Sequence, residues 1–280
     1  MITPPSAAPV RRYVEHVMGM PVSLALRGRH IDDAAARGAW AQAVATLHDV
    51  DRVFSTYKPA SVVSRLARGE LTVAGCPPEV AEVLALGEAA RVASRGAFDV
   101  RRSSNGTVVF DPSGVVKGWA ADRAVGPLRL LPDTDVCLSV GGDVICHVAD
   151  PDAAPWRIGV EDPHDPTRVL AVVPVRRGAV ATSGLAHRGA HVVDARSGRV
   201  PAAVASVTVV ASDLTRADLD ATSALALDTD ALPWLLTRRG RSGVMVWADG
   251  RREVFGGAPT EGSTRAGTAG TTAACGSSAG

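Results

Sequence analysis

Lys117 is the first residue whose type and position indicate chemistry. It is one of two lysines beside 28 arginines, and it lies in the segment Asp111-Pro-Ser-Gly-Val-Val-Lys-Gly-Trp-Ala-Ala-Asp-Arg-Ala124. Because almost every other cation in the chain is a guanidinium, a retained ammonium indicates that a compact point charge is needed there. Such a charge suits a phosphate group. The alternative is a lysine at a helix start that points into water.

Asp218 and Thr222 form a second candidate site, on a helix that the sequence predicts over Thr215–Leu227. Side chains four residues apart project from one face of a helix, so their oxygens can meet at one point. One or two protein oxygens, completed by water and substrate phosphates, are the usual environment of Mg²⁺. The alternative is a helix cap and a solvated face, which the same residue types also favour.

His191 is a candidate general base. It stands in Ala181-Thr-Ser-Gly-Leu-Ala-His-Arg-Gly-Ala-His-Val-Val-Asp-Ala-Arg-Ser-Gly198, directly before two β-branched residues. That pattern predicts a short strand, which would hold the imidazole rigidly. His187 in the same segment is an alternative base, and a histidine in a strand can also have a purely structural hydrogen-bonding role.

Adjacent glycines interrupt the strand-like segment Val136-Cys-Leu-Ser-Val-Gly-Gly-Asp-Val-Ile145. Glycines inside a strand indicate a bulge, or a place where a second backbone or a ligand such as a phosphate comes close. The chain contains neither GxxxxGK[ST] nor GxGxxG. The usual mononucleotide-binding and dinucleotide-binding loops are therefore excluded.

Composition restricts the class of partner. At 280 residues with 46% hydrophobic content, the chain can bury a large core. The formal net charge is +1, from 30 basic and 29 acidic side chains, which predicts no nucleic-acid or membrane partner and favours a small-molecule substrate. The cysteines at 76, 137, 146 and 275 show no CxxC spacing and are expected to be reduced thiols. Without a signal-like start or a long apolar run, a cytoplasmic protein is expected.

The residues with possible chemistry are distributed over a mixture of helices and strands. Helices are predicted over Asp32–Val53 with Asp32 or Asp33 as cap, over Pro78–Ser94, from Lys117 to Ala124, and over Thr215–Leu227 with Thr215 near the cap. Strands are predicted over Pro21–Arg27, 136–140, 156–161, 168–176, 203–211 and Gly243–Ala248, the last of which enters a hairpin. Because strands outnumber helices without regular β-α alternation, an α+β fold with mixed sheets is favoured. Residues 1–12 and 256–280 are predicted to be disordered around one domain at 13–255.

Taken together, these segments resemble the flavin transferases of the ApbE family, also called FAD:protein FMN transferases. The resemblance runs from about Glu15 to Ala248 and rests on motifs that occur in the family's order. They are Met18-Gly-Met20, Ser55-Thr-Tyr-Lys-Pro59 with Ser64-Arg-Leu66, Gly96-Ala-Phe-Asp99, Asp111–Ala124, Val140-Gly-Gly-Asp143, Thr182-Ser-Gly184, His191-Val-Val-Asp194 with Ser197-Gly198, and Ser206-Val-Thr-Val209 with Ala217-Asp-Leu-Asp-Ala-Thr222.

The resemblance implies an architecture and a reaction. The architecture is mixed or antiparallel sheets flanked by helices, related to the T-fold. The reaction is the Mg²⁺-dependent transfer of the FMN part of FAD to a threonine or serine hydroxyl of an acceptor protein, through a phosphoester bond and with release of AMP. FAD and an intracellular acceptor protein with a flavinylation motif are the implied partners.

The resemblance also implies roles for individual residues. The family's metal ligands correspond here to Asp218, Thr222 and the backbone carbonyl of Gly114. Lys117 is implied to contact the FAD pyrophosphate, and His191 to be the general base, so that these two and Asp218 form the catalytic set. Further contacts with FAD are implied for Met18, Tyr57, Ala97, Phe98, Asp99, Asp111, Thr182, Ser183 and Val192.

The chain departs from the family pattern at three places. Ala195 stands where the family has a proline, and only 11 residues separate Asp99 from Asp111, where many relatives carry a longer insertion. Ser113-Gly114 stands where the family often has two small residues, a change that keeps the implied carbonyl ligand. No copy of the acceptor motif Asp-x-x-Ser/Thr-Gly-Ala-Ser/Thr is evident in the chain, so modification of itself is not expected. Two alternative functions remain, a Mg²⁺-dependent FAD pyrophosphatase giving FMN and AMP, and a non-catalytic FAD-binding protein. The Asp218 and Thr222 pair argues against the second, since a pure binder has little need of a metal at the pyrophosphate.

Overall fold

Antiparallel strands form the centre of the molecule. A computed structural model describes residues 9–104, 107–186 and 192–256. The strands within these ranges are β1 Val10–Val17, β2 Met20–Gly28, β3 Arg101–Ser104, β4 Thr107–Phe110, β5 Thr134–Val140, β6 Asp143–His147, β7 Trp156–Asp162, β8 Asp165–Val175, β9 Arg177–Gly184, β10 Val204–Ala211, β11 Ser242–Trp247 and β12 Arg252–Phe255. Eight of them form the main sheet in the order β1-β2-β5-β6-β9-β10-β11-β12, with every neighbouring pair antiparallel. The pairs β3–β4 and β7–β8 are separate hairpins.

Helices cover one face of this sheet. They are α1 Ala34–Phe54, α2 Val62–Ala67, α3 Pro78–Ala93, α4 Ser113–Ala124, α5 Gly126–Arg129, α6 Leu214–Leu227 and α7 Ala231–Leu236. The longest, α1, begins where the Asp33 carboxylate accepts a hydrogen bond of 2.9 Å from the Ala36 N–H, as an N-cap residue does. Within the described ranges, no helix combines the length and the apolar content that crossing a bilayer requires.

The central strands are buried on both faces, because successive side chains of a strand point to opposite sides. In β2, Leu24 and Leu26 pack into the core below the helices, whereas Ala25 between them belongs to a second core on the other side. Cys137 joins the same second core, while Leu138 next to it faces the helices. The helices therefore pack on every second side chain of these strands, and the side chains between them face the other side of the sheet.

The β7–β8 hairpin covers the second face. Trp156, Ile158 and Val175 of this hairpin pack on the side chains of the central strands. The guanidinium of Arg27 lies 4.4 Å from the centre of the Trp156 ring, a cation–π contact that ties the hairpin to β2. With both faces covered, the ends of the sheet remain as places where a ligand can approach.

The structure confirms the α+β prediction with helices flanking antiparallel sheets. The helices predicted from Asp32, Pro78 and Thr215 are present, and the six strands predicted at 21–27, 136–140, 156–161, 168–176, 203–211 and 243–248 are each found to within about three residues. The short strand predicted after His191 is not found, because residues 192–194 have no regular secondary structure. The N-cap of α6 is Asp213, two residues before Thr215, which was predicted to lie near the cap. A strand at β9 and a strand at β1 were not predicted, and β1 begins at Val10, inside the segment 1–12 that the sequence placed outside the domain.

Two further predictions about local structure were wrong. Helix α4 begins at Ser113, four residues before Lys117, because the Asp-Pro-Ser-Gly segment forms the entry and first turn of the helix and not a separate turn. The glycines at 141 and 142 do not form a bulge inside one strand, although a second backbone does come close, as the alternative interpretation predicted: the Gly141 N–H donates a 3.0 Å hydrogen bond to the Pro21 carbonyl. They form the two-residue turn of the β5–β6 hairpin, with φ angles of 60° and 97°, as the type I′ family of hairpin turns requires.

Candidate functional site

Helices α4 and α6 cross closely, and this crossing brings two predicted site residues together. Gly118 of α4 lies at the crossing, where a Cβ atom would be 2.7 Å from the carbonyl oxygen of Leu214. Only glycine leaves enough room for the two backbones at this separation. Lys117, adjacent to this glycine, and Asp218 on α6 can therefore meet in the space between the helix layer and the sheet.

Lys117, Asp143 and Asp218 form a buried charge cluster, which we call the lysine cluster. The Lys117 Nζ lies 2.5 Å from Oδ2 of Asp143 and 3.2 Å from Oδ1 of Asp218. The two carboxylate side chains are 4% and 3% exposed, and the lysine is 15% exposed. With all three groups ionised, these three described side chains sum to a charge of −1 in a region from which water is largely excluded.

Asp218 in this cluster has a raised pKa. Burial raises the pKa of this carboxyl to about 6, and the neighbouring Asp143 carboxylate adds to the rise. The Lys117 ammonium and the Gly118 N–H, which donates a 3.1 Å hydrogen bond to Asp218 Oδ2, act in the opposite direction without cancelling it. A further cation next to Asp218 would relieve this state, so the cluster fits a divalent metal ion.

The turn at the end of β5 positions Asp143. Asp143 is the first residue after the Gly141–Gly142 turn, and its Oδ1 accepts a 3.0 Å hydrogen bond from the backbone N–H of Thr182 on β9. Its other carboxylate oxygen is thereby directed to Lys117. Sequence reasoning included this aspartate in a motif but gave it no role. The available signal was its position directly after two glycines of a hairpin turn.

Thr222 lies one helical turn after Asp218, as the spacing predicted. Its Oγ1 is 3.0 Å from Oγ of Ser183 on β9, so this hydroxyl is held between helix and sheet. The Gly118 amide that bonds to Asp218 is the one that a regular helix would use for the carbonyl of Gly114.

The predicted metal set is thus one carboxylate, one hydroxyl and one carbonyl, a combination of hard oxygen ligands that suits Mg²⁺. In the ranges that the structure describes, no three His, Cys, Asp or Glu side chains are grouped as metal ligands. Gly114 itself has no space for a side chain, since a Cβ would lie 2.9 Å from the ring of Phe98.

The segments 97–99 and 192–198 are in contact. The Ala195 N–H donates a 2.9 Å hydrogen bond to the carbonyl of Ala97, a bond that a proline at this position could not make. Asp194 closes the following turn by accepting from the backbone and guanidinium of Arg196. Partial burial raises the pKa of Asp194, but these donors outweigh it and hold the pKa below its usual range. The departure from the family's proline therefore creates a contact and does not open the site.

The remaining predicted residues occupy several loops. Met18 has a positive φ of 58° in the β1–β2 turn, which lies beside the β5–β6 turn because the Gly141 N–H donates to the Pro21 carbonyl. Asp111 accepts from the Ser113 N–H ahead of α4, at 3.0 Å. Tyr57 is 95% exposed in the loop after α1. Other placements are Phe98 and Val192, both buried, and Thr182, whose hydroxyl bonds to Thr208.

His191 and the alternative base His187 lie outside the described residues. Their roles stay predictions from the sequence. The same holds for the phosphate contact of Lys117, whose ammonium is held by two carboxylates in this structure, an arrangement that the sequence did not predict.

Comparisons with known proteins identify the family of this chain. The family model described as "ApbE family" matches residues 18–109 and 100–246. The chain therefore belongs to the ApbE family. A FAD:protein FMN transferase of Rhodobacter capsulatus is 30% identical over 157 residues, covering 53% of this chain and 30% of that protein. The protein of the same name from Salmonella typhimurium is 29% identical over 153 residues, covering 50% of this chain and 43% of that protein. The matches thus span less than half the length of these relatives.

Solved structures share the fold. The ApbE protein of Thermotoga maritima is 22% identical, with a TM-score of 0.74 over 88% of this chain and 97% of that structure. The flavinyl transferase ApbE of Pseudomonas stutzeri is 21% identical, with a TM-score of 0.73 over 89% of this chain and 96% of that structure. At these identities, the likeness establishes the architecture.

Proposed function

We propose that this protein transfers the FMN part of FAD to a threonine or serine hydroxyl of an acceptor protein in a Mg²⁺-dependent reaction. The observation that carries the proposal is the lysine cluster. It is a buried group of charges with one negative charge in excess, it lies next to the Thr222 hydroxyl, and it occurs in a chain of the ApbE family. Two curated relatives bear the name FAD:protein FMN transferase.

The residues divide the work by chemistry. Asp218, Thr222 and the Gly114 carbonyl would hold the metal, which when bound neutralises charge that develops on the pyrophosphate. Lys117 supplies a second cation beside it and contacts the FAD phosphates. Segments 97–99 and 192–194, with Met18 and Tyr57, bind the rest of the dinucleotide, together with Asp111, Thr182 and Ser183.

The bond changes follow from the products. The acceptor hydroxyl oxygen attacks the phosphorus of the FMN half, a new phosphoester P–O bond forms, and the bond to the bridging oxygen breaks, so that AMP leaves with that oxygen. The hydroxyl proton passes to a general base, for which we propose His191. Catalysis of this kind depends mainly on alignment of the two reactants and on neutralisation of charge.

Mass spectrometry of an acceptor peptide tests the proposal. A peptide carrying Asp-x-x-Thr-Gly-Ala-Thr is incubated with the protein, FAD and Mg²⁺. The expected result is an FMN adduct on the peptide and an equal amount of AMP. Two controls, excess EDTA and a peptide with alanine in place of the acceptor threonine, should give no adduct.

The products also separate the alternatives. Free FMN and AMP without an adduct would establish the pyrophosphatase and contradict the transferase. FAD that is bound but unchanged after long incubation would instead indicate a non-catalytic binding protein.

A further inference from the structure

Asp122 of α4 makes its hydrogen bonds to α6. Its carboxylate accepts from the backbone N–H groups of Leu214 at 3.0 Å and Thr215 at 2.7 Å, and from the Thr215 hydroxyl at 2.6 Å. A carboxylate in the last turn of a helix is unfavourable for that helix, because the C-terminal end of the dipole is negative. At the N-terminus of α6 the same charge is favourable. A carboxylate at position 122 is therefore favourable because it caps the N-terminus of α6, and not because of its place in α4.

A second carboxylate makes the reciprocal contact. Asp218, in the second turn of α6, accepts from the backbone N–H of Gly118, which lies one turn before Asp122 on α4. Each helix thus donates backbone N–H groups to a carboxylate of the other. Between the two contacts, Gly118 brings the backbones so close that a Cβ atom would be 2.7 Å from the Leu214 carbonyl oxygen. Two bonded points and one close contact fix the position of α6 along α4.

This position determines the geometry of the metal ligands. Lys117 and the Gly114 carbonyl belong to α4, whereas Asp218 and Thr222 belong to α6. A shift of α6 by a fraction of an ångström changes every distance between the two sets. A metal site tolerates deviations of only about 0.2 Å from its preferred distances.

We propose that Asp122 is a positioning residue for the metal site. It holds α6 at the place where Asp218 and Thr222 meet the Gly114 carbonyl of α4. The inference rests on the proposed function for the identity of the bound ion. The contacts between the helices do not depend on it. Residues that orient metal ligands from outside the coordination shell commonly change metal affinity by about 10-fold to 100-fold when they are replaced.

Asp213 provides a matched control. Its side chain also caps α6, accepting from the Arg216 N–H at 2.9 Å, and its other contacts lie within residues 212–216. Replacing either aspartate removes a carboxylate from the same helix end. Of these two aspartates, Asp122 is the one whose carboxylate connects that end of α6 to α4.

The experiment measures Mn²⁺ binding by electron paramagnetic resonance in the absence of FAD, for the wild type and for Asp122→Ala, Asp213→Ala and Asp218→Ala. We expect Asp122→Ala to weaken Mn²⁺ binding about tenfold or more, and Asp213→Ala to change it by less than about twofold although both lower the unfolding temperature. Hydrogen exchange of the Gly118 amide should become faster in Asp122→Ala and stay unchanged in Asp213→Ala. In the transfer assay, Asp122→Ala should need more Mg²⁺ for half-maximal rate and regain most of kcat at saturation.

Two results would overturn the inference: wild-type Mn²⁺ affinity in Asp122→Ala, or equal weakening in Asp213→Ala. If Asp122→Ala does not fold, Asp122→Asn, which keeps one acceptor oxygen, is measured in its place under the same expectations. Unchanged Mn²⁺ binding in Asp218→Ala would contradict the metal set of the proposed function. In that case, the exchange rate of the Gly118 amide decides the role of Asp122 by itself.

Discussion

Two aspartates of α6, only two positions apart, are buried in opposite electrostatic environments. Asp220 accepts from the guanidinium groups of Arg238 at 2.8 Å and Arg241 at 2.6 Å, so that two cations surround one carboxylate. Asp218 shares a single ammonium with Asp143. The first arrangement stabilises the fold, whereas the second leaves a charge that a bound ion has to neutralise. The contrast fits the proposed role of Asp218 as a metal ligand, since a residue retained for function can lower stability.

Asparagine substitutions at these two positions should therefore have opposite effects. Asp218→Asn removes the excess negative charge and should raise the free energy of unfolding of the metal-free protein near neutral pH by about 1 to 3 kcal/mol. Asp220→Asn leaves two guanidinium groups without their carboxylate and should lower it by about 3 to 5 kcal/mol. Urea unfolding in EDTA measures both. A loss of stability in Asp218→Asn equal to that in Asp220→Asn would show that the lysine cluster carries no uncompensated charge.

The stability difference between Asp218→Asn and the wild type should also depend on pH. Asp218 titrates near its ordinary value of 3.8 in the unfolded chain and at about 6 in the folded, metal-free protein. Between these values the folded state holds more protons than the unfolded chain, so the group lowers stability progressively as pH rises from about 4 to about 6. The advantage of the variant should be small at about pH 3.5 and should reach its full size above about pH 7. Thermal unfolding in EDTA measures it, and an advantage that grows as pH falls would contradict the assignment.

At the scale of elements, the site depends on how α4 and α6 are packed against each other and against the β5–β6 turn. Gly118 allows the two helices to approach, Asp122 and Asp218 bond across the crossing, and the turn delivers Asp143 from the sheet side. Lys117 on α4, Asp218 on α6 and Asp143 after the turn thus form ion pairs across the three elements.

Gly118→Ala tests the helix crossing. The added methyl would lie 2.7 Å from the Leu214 carbonyl oxygen, so α6 has to move away from α4. We expect a loss of about 1 to 3 kcal/mol in the free energy of unfolding and a strong loss of FMN transfer. Gly38→Ala in α1 is the control, because nothing lies within 4 Å of its Cβ position. It should gain about 0.5 to 1 kcal/mol from helix propensity and keep full activity. Full activity in Gly118→Ala would show that the site tolerates a different helix separation.

Local patterns explain which elements were predictable. The helices α1, α3 and α6 have apolar residues at helical spacing and recognisable start signals, which depend only on neighbouring residues. The start of α4 was missed because Pro112 and Gly114 favour a turn when they are considered alone, and only the contact of Gly114 with Phe98 explains a glycine in the first helical turn. The hairpin at the glycines 141 and 142 was missed because the apolar residues on both sides suggest one continuous strand.

The site was predictable only in part, for a similar reason. Spacing on one helix predicted that Asp218 and Thr222 share a face, and the resemblance to a family supplied the metal set. The pairing of Lys117 with Asp143 joins a helix to a strand that follows it in the chain, and no local pattern encodes such a contact. The bond between Asp122 and the start of α6 is of the same kind.

At the scale of the whole molecule, the covered faces of the sheet direct binding to one of its ends. The β1–β2 turn, the β5–β6 turn, the end of β9 and the start of β10 all lie at that end, next to the lysine cluster. The helix layer would supply the proposed metal ligands, and the sheet supplies Asp143 and Ser183. A site of this kind requires the helix layer and the sheet to keep a fixed position relative to each other, and the core between them provides this.

The adduct assay on Asp218→Asn tests the central claim most directly, because this variant is expected to be folded and more stable than the wild type. The acceptor peptide is incubated with FAD, Mg²⁺ and either protein, and the FMN adduct is measured by mass spectrometry while unfolding temperatures are recorded in parallel. An adduct is expected with the wild type and none with the stable variant. An adduct formed at the wild-type rate by Asp218→Asn would contradict the proposed metal site.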